Sequence, residues 1–211
     1  MNKELFAKAF EELKKNSPKK NFTQTVDFII NLADIDLRKT PIVVPVILPH
    51  PVKENRVCGF LEKKSVHVDK SVSKAEIMAD WPKSELKKLV RNYDIFIASA
   101  SLMPLLAAKF GRTLGAAGKM PNPKTGGVLM REDENEIKAV AERLKKTLVI
   151  RPKEPSIKIA IGKEDSQPEK IAENAFVIYN AILNILPNRR ENIRSIMLKL
   201  TMSKPIKLKE K

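Results

Sequence analysis

The stretch DIFIASASLMPLLAAKFGRTLGAAGKMPNPKTGGVLM (94–130) passes from an apolar run, through a helical pattern, into a glycine- and proline-rich loop and a second apolar run. DIFIAS (94–99) and GVLM (127–130) are short, apolar strand candidates, and 101–110 carries helical spacing. A strand, a helix and a strand in that order are the unit of a parallel α/β layer. The connecting loop, GRTLGAAGKMPNPKTGGV (111–128), holds five of the chain's seven glycines together with Arg112, Lys119 and Lys124. A flexible, positive backbone invites a phosphate-cradle reading, and the spacing refuses it. In a P-loop the Gly-Lys pair is followed by Ser or Thr, whose hydroxyl holds magnesium. Here Met120 follows Gly118 and Lys119, Thr113 stands in place of the first glycine, and Pro121 and Pro123 occupy the start of the required helix. The dinucleotide fingerprint fails as well, because Gly115 and Gly118 lack the preceding Gly-x-Gly. Glycines serving tight turns beside a sheet are the main rival to any function for the loop.

Outward from this stretch the alternation of strand and helix continues. SVHV (65–68) and LVIR (148–151) read as further strands, with helices over 81–92 and 134–147. In the last of these Ile137, Val140, Ala141 and Leu144 form a stripe, acidic residues crowd the start, and Lys145 and Lys146 the end, as the helix dipole favours. RPKEPS (151–156) has two prolines in a charged stretch and reads as a hinge.

The two chain ends have a different style. Residues 2–14 form a helix with Leu5, Phe6, Ala9, Phe10 and Leu13 on one face, ended by Asn16, Ser17 and Pro18. A basic turn at Lys19 and Lys20 leads into FTQTVDFII (22–30), where Val26, Phe28 and Ile30 alternate with polar residues. PIVVPVILPHP (41–51) is β-branched and broken by Pro45, the mark of an edge or bulged strand. IKIAIG (157–162) is a strand. Ser166 and Glu169 predict a capping box, opening a helix whose Ile171, Ala175, Ile178, Ile182 and Ile185 share a face and which Pro187 stops. IRSIMLKLTM (193–202) alternates, with Ile196, Leu198, Leu200 and Met202 on one side.

Composition narrows the function classes. The 211 residues carry 40 Lys and Arg against 25 Asp and Glu, a net charge of +15 spread over the middle and both ends, so the partner is a large polyanion rather than a small anion in one pocket. Aromatic residues are only 5%, too few for the stacking platforms of single-strand binders, which favours structured RNA or a duplex held by phosphates, sugars and shape. No apolar run is long enough to span a bilayer, and no membrane partner is expected. The N-terminus has no apolar stretch of a secretory signal. The single cysteine, Cys58, allows no intrachain disulfide and fits a reducing, cytoplasmic setting. His50 and His67 have no ligand spacing with Cys58, and neither a catalytic constellation, a metal site nor a cofactor is read.

Several motifs, in order, resemble one family, that of the large-subunit ribosomal protein L-one of the mobile stalk. GRTLG (111–115) with GKMPNPKTG (118–126) is similar to its signature. DIFIASASLMP (94–104), KNFTQTV (20–26), VILPH (46–50), IGK (161–163) and LTM (200–202) match in the same order, from about residue 18 to 208, with an archaeal character. The resemblance implies a non-enzymatic, monomeric RNA-binding protein in the cytoplasm, within the ribosome. It implies an α/β fold of two domains. A discontinuous, two-layer split α/β domain would be formed by 1–63 and 155–211, and an inserted Rossmann-like three-layer domain by 64–154. Its partners would be large-subunit ribosomal RNA, transfer RNA leaving the exit site, and its own messenger RNA under translational repression. The family's RNA-contacting positions fall on Phe22, Thr25, Lys163, Ser166, Thr201 and Met202, with Lys20 and Lys204 beside them. Arg112, Lys119 and Lys124 are candidates for a secondary RNA contact. By pattern alone Phe22 and Met202 belong to the core, Ser166 is the helix cap, and Thr25 and Thr201 lie on polar faces. The family usually follows Thr-Met with Gly-Pro. This chain has Ser203, Lys204 and Pro205, so Ser203 is expected to loosen the contact and Lys204 to offset it with a phosphate. The rival readings are a small α/β nucleotide-binding enzyme and a free-standing RNA-binding repressor.

Overall fold

The computed structural model describes residues 2–208 except 19, 36, 38–41 and 153. Lys19 of the basic turn, Pro41 of the β-branched strand and Lys153 of the hinge therefore lie outside the described residues. The chain forms two compact units, Met1–Lys53 with Leu148–Lys211, and Glu54–Thr147. It runs through α1 (Lys3–Asn16), β1 (Thr25–Leu32) and β2 (Val44–Ile47) in the first unit. The second unit follows with β3 (Val57–Phe60), β4 (Lys70–Val72), α2 (Lys74–Met78), α3 (Lys83–Asn92), β5 (Ile95–Ser99), α4 (Met103–Ala116), β6 (Val128–Leu129) and α5 (Glu134–Lys145). The chain returns through β7 (Thr147–Ile150) to β8 (Ser156–Lys163), α6 (Pro168–Ile185), β9 (Ile193–Leu200) and β10 (Ile206–Leu208).

In the first unit an antiparallel sheet in the order β10-β9-β1-β8 carries α1 and α6 on one face. Phe6, Ala9, Phe10 and Leu13, at i, i+3, i+4 and i+7, give α1 one apolar stripe. It meets the inward alternation Val26, Phe28, Ile30 and Leu32 of β1 and the Ile171, Ala175, Ile178 and Ile182 stripe of α6. Phe6 and Phe28 meet edge to face, ring centroids 5.7 Å apart. Truncating a fully buried phenylalanine of this kind costs about 3–5 kcal/mol. Ile185, expected on the core face of α6, is 44% exposed, because the helix ends there.

One irregularity in this sheet has consequences for function. β8 is inward at Ile157, Ile159 and Ile161, and strict alternation would turn residue 163 inward too. The pairing instead slips, with Val26 opposite Gly162 and Asp27 opposite Ala160, so Ile161 is an extra residue. Such a bulge re-aims the side chains beyond it. Ile161 and Gly162 are both buried, and Lys163 points to solvent opposite Thr25. Gly162 has no room for a side chain, since a Cβ there would lie 2.9 Å from Ile171 Cγ1 on α6.

The second unit is a parallel sheet in the order β4-β3-β5-β6. α2, α3 and α4 cover one face over Phe60 and Phe96, with Phe110 of α4 packed against Phe60. α5 covers the other over Val57, Leu61, Ile97 and Leu129. Coverage on both faces explains why VCGF (57–60), buried throughout, gives no alternating signal. The sequence places a strand at SVHV (65–68), but these residues form a turn between β3 and β4, closed by Ser65 Oγ accepting from the His67 amide. LVIR does contain a strand, yet β7 pairs with β2 and not with the parallel sheet. The two units divide at 53/54 and 147/148, with β3 in the parallel sheet and β7 paired with β2; the resemblance implies domains divided at 63/64 and 154/155. Among the described residues no helix is long and apolar enough to cross a membrane.

Candidate nucleic-acid interface

Three strand ends meet at one edge of the antiparallel sheet: the start of β1, the end of β8 and the end of β9. Thr25 stands opposite Lys163, and Val26 opposite Leu200. Thr201 follows directly. Its Oγ1 accepts from the Thr25 amide at 3.2 Å and lies 3.4 Å from the Thr25 carbonyl, to which it donates. The sequence-predicted residues Phe22, Thr25, Lys163, Ser166, Thr201 and Met202 are thus gathered at one end of the unit by the register of three strands.

A residue that sequence reasoning missed organises the junction. Gln24 is 1% exposed, the only polar side chain between the exposed Thr23 and the half-buried Thr25. Its Oε1 accepts from the Met202 amide at 3.0 Å, and its carbonyl accepts from the Glu164 amide at 2.8 Å. One buried side chain and its own backbone therefore tie the segments after β8 and after β9 to the start of β1. The signal was the strand parity itself. With Val26, Phe28 and Ile30 inward, Gln24 is the next inward position, and a polar residue there needs buried partners. Thr23 Oγ1 adds a bond to Asp165 Oδ2 at 3.1 Å.

Two further serines fix the turns. Ser166 is not the helix cap that its spacing to Glu169 predicts. α6 starts at Pro168 with Gln167 at the N-cap, while Ser166 Oγ accepts from the Lys163 amide at 3.3 Å and its amide donates to the Lys163 carbonyl. The Pro168 ring occupies the first helical position and moves the cap by one residue. Ser203 Oγ accepts from the Leu200 amide at 2.8 Å. Ser203 is also not among the residues with positive φ, so the turn does not require the glycine that the family resemblance leads one to expect there.

What remains pointing outward is chemically mixed. Phe22 is 53% exposed and Met202 62%, against the core placement that alternation alone predicts for both. β1 begins only at Thr25 and β9 ends at Leu200, so neither residue inherits the strand's parity. Lys20, Lys163 and Lys204 are exposed around them, and no ion pair holds any of the three among the described residues. Exposed apolar side chains, a threonine pair and unpaired ammonium groups together suit a surface that contacts sugars and bases while binding phosphates.

The second unit arranges its candidates differently. Gly111, Arg112 and Gly115 lie within α4 and not in the loop; a Cβ at either glycine would meet nothing within 4 Å. The turn proper uses Gly118 and Gly126, at φ of 67° and 72°, where glycine is favoured. Lys119 Nζ donates to the Val90 and Tyr93 carbonyls at 2.8 and 2.7 Å, closing the C-terminal end of α3. Asn122 Oδ1 accepts from the Lys124 amide, and the Lys124 side chain is exposed. At the carboxyl ends of the parallel strands, where an α/β sheet would hold a ligand, the Glu132 carboxylate accepts from the Glu62 amide at 2.9 and 3.0 Å and from the Lys63 amide at 3.3 Å. Ser101 Oγ donates to Glu62 Oε1 at 2.8 Å. An internal anion thus occupies the amides that a phosphate would use. Cys58 is fully buried, which pushes its thiol up to about 12 and leaves it inert as a nucleophile. Among the described residues no group of His, Cys, Asp and Glu could hold a metal ion.

Comparison with known proteins agrees with these motifs. The model of the Ribosomal protein L1p/L10e family matches residues 13–204. The large ribosomal subunit protein uL1 of Thermococcus kodakarensis is 34% identical over 217 residues, covering 98% of each chain. That of Pyrobaculum islandicum is 35% identical over 216 residues, 98% of this chain and 94% of its own. That of Methanocaldococcus jannaschii is 32% identical over 220 residues, 100% of this chain and 97% of its own. These relatives are archaeal, as the wording of the motifs implies. A mixed α/β chain matched along nearly its whole length by the family model and by such relatives belongs to the Ribosomal protein L1p/L10e family.

Proposed function

We propose that this chain is a structural protein of the large ribosomal subunit, working in the cytoplasm, that binds ribosomal RNA at the mobile stalk through the β1, β8 and β9 ends of its first unit. It is not an enzyme. The observation that carries the reading is the grouping of Phe22, Thr25, Lys163, Thr201 and Met202 at one sheet end, with Phe22 and Met202 exposed beside exposed lysines. In this reading Lys20, Lys163 and Lys204 meet phosphates. The Thr25 and Thr201 segment meets ribose hydroxyls, the group by which a protein distinguishes RNA from DNA. Ser166 and Gln24 hold the surface in shape before RNA arrives, so little ordering cost remains on binding. The two units serve as separate domains, the first for RNA anchoring and the inserted one, through Arg112 and Lys124, for secondary contact. Release of deacylated transfer RNA from the exit site and repression of the chain's own message through a copy of the ribosomal site complete the proposal.

The test is a salt titration of binding to a stalk-base RNA fragment, beside an unrelated duplex of equal length. The stalk RNA should win by orders of magnitude at physiological salt, with a salt slope well below that of a protein using all of its +15 charge. Equal affinities with a steep slope would identify a generic polycation and remove the site assignment. Occupancy of purified large subunits separates a ribosomal protein from a free-standing repressor.

A further inference from the structure

Beside the proposed interface, within the same unit and sharing Lys163 and Ser166 with it, lies a cavity of about 400 Å³ whose remaining lining, Pro49, Pro51, Val52 and Lys170 among it, the reading above leaves without a role. Its walls differ in chemistry. One is Pro49, Pro51 and Val52 of the segment after β2. The other carries Lys163, Ser166 and Lys170. Ile161, Gly162 and Ile171 also line it.

The cavity is built into the fold. Asn174, 1% exposed, donates from Nδ2 to the His50 carbonyl at 2.6 Å and to the Ile161 carbonyl at 2.9 Å, and its Oδ1 accepts from the His50 amide at 3.1 Å. One buried amide thus pins the proline wall to the bulge in β8. The His50 ring is held in turn by Glu173 Oε2 at 3.0 Å, and Lys3 reaches the same carboxylate at 3.2 Å; the His50 and Lys3 bonds hold the Glu173 carboxyl below its usual range. The bulge at Ile161 and the missing side chain of Gly162 shape the space itself. No carboxylate lines it, whereas two lysines do.

We propose that this cavity is a second RNA subsite that receives one unpaired nucleotide, its base and sugar against Pro49, Pro51 and Val52 and its phosphate toward Lys163 and Lys170. The inference rests on the RNA-binding reading above. Lys163 lines the cavity and stands opposite Thr25 in the sheet, so the two surfaces share a residue. The volume is that of a small-ligand site, too small for a base-paired helix. Single nucleotides that leave a duplex are the parts of a structured RNA that proteins read individually. The apolar wall distinguishes a nucleotide from a bare phosphate.

The experiment uses the full chain labelled with 15N. Adenosine and cytidine 5′-monophosphate, and inorganic phosphate for comparison, are titrated at constant ionic strength. Saturable amide shifts are expected at Val52, Gly162, Ser166, Lys170 and Asn174, with phosphate alone at least fivefold weaker. Lys170→Glu and Lys170→Met should remove them while the rest of the spectrum keeps its folded dispersion. In parallel, two stalk-base fragments are compared, one with a single bulged nucleotide and one fully paired. Lys170→Glu should weaken the bulged fragment about tenfold more than the paired one. Shifts spread evenly over surface lysines, or equal loss for both fragments, overturn the subsite. Mononucleotide binding with no bulge dependence overturns its assignment to RNA in favour of a free nucleotide. Stalk RNA bound tightly and indifferent to Lys170 would sink this inference alone, whereas no preference for stalk RNA in the unsubstituted chain would sink the reading beneath it.

Discussion

The glycine-rich turn of the inserted unit and the strand junction of the first unit are both polar, both basic and both built from family motifs, yet they treat their donors in opposite ways. The inserted unit spends most of them internally and leaves Arg112 and Lys124 outward. Lys119 closes α3, Asn122 holds the Lys124 amide, and Glu132 fills the amides of Glu62 and Lys63. The junction satisfies its backbone with Gln24, Thr201, Ser166 and Ser203 and leaves Phe22, Met202, Lys20, Lys163 and Lys204 outward. The most conspicuous motif in the sequence therefore holds much of its polarity within the fold. What marks a surface for binding is the side chains left over once the backbone is accounted for.

The sharpest way to break this comparison is to remove the outward groups of each region. Thr201→Ala with Met202→Ala should weaken stalk RNA binding by about 3 kcal/mol, roughly 100-fold, from one hydroxyl and one apolar contact. Thr201→Ser should restore most of the hydroxyl part, since Oγ keeps its bond to the Thr25 amide. Arg112→Ala with Lys124→Ala should cost about threefold at most. Calorimetric titration of the four proteins decides, and a larger loss from the second pair would invert the roles assigned to the two regions.

The next two predictions separate holding from touching. Gln24→Ala removes a buried acceptor that keeps the Met202 amide in place. It should cost about 1–2 kcal/mol of stability and, because the junction loosens, about tenfold in RNA affinity. Lys119→Met removes two charge-assisted bonds to carbonyls at the end of α3. A similar 1–2 kcal/mol is expected, a fall in Tm of about 3–6 °C for a chain of this size, with RNA affinity unchanged within about twofold. Thermal melts and filter binding on the same preparations test both. If Lys119→Met weakens RNA binding tenfold, that lysine leaves α3 to meet RNA, and the contrast between the regions fails there.

How much of this was legible in the sequence depended on whether one face of an element met water. α1, β1, β9 and α5 alternate or stripe cleanly, and their core residues are readable one by one. β3 is buried on both faces, so Val57–Phe60 carries no alternation, and the strand was misplaced onto the turn at 65–68. The candidate site was readable only through family motifs. Phe22 and Met202 keep the parity of neighbouring strands while lying beyond their ends, so pattern sends them inward. The bulge at Ile161, which turns Lys163 outward, leaves no mark in a single sequence. Gln24 could have been found, as a polar residue at an inward position.

The smallest expected effect concerns Ser203, where the resemblance leads one to expect glycine. The family resemblance makes this a looser RNA contact, partly offset by Lys204. The geometry argues for a different trade. Ser203 Oγ accepts from the Leu200 amide at the end of β9, and the backbone at 203 is not left-handed, so the serine strains nothing and caps the strand. Ser203→Gly should therefore lose about 0.5–1.5 kcal/mol of stability from one hydrogen bond and from added freedom in the unfolded chain. RNA affinity should fall slightly or stay level, since the turn carrying Thr201 and Met202 becomes less fixed. A rise in affinity of fivefold or more would show instead that the serine side chain holds RNA away from the backbone. The junction would then owe part of its specificity to close approach, and not only to the outward residues that distinguish it from the glycine turn.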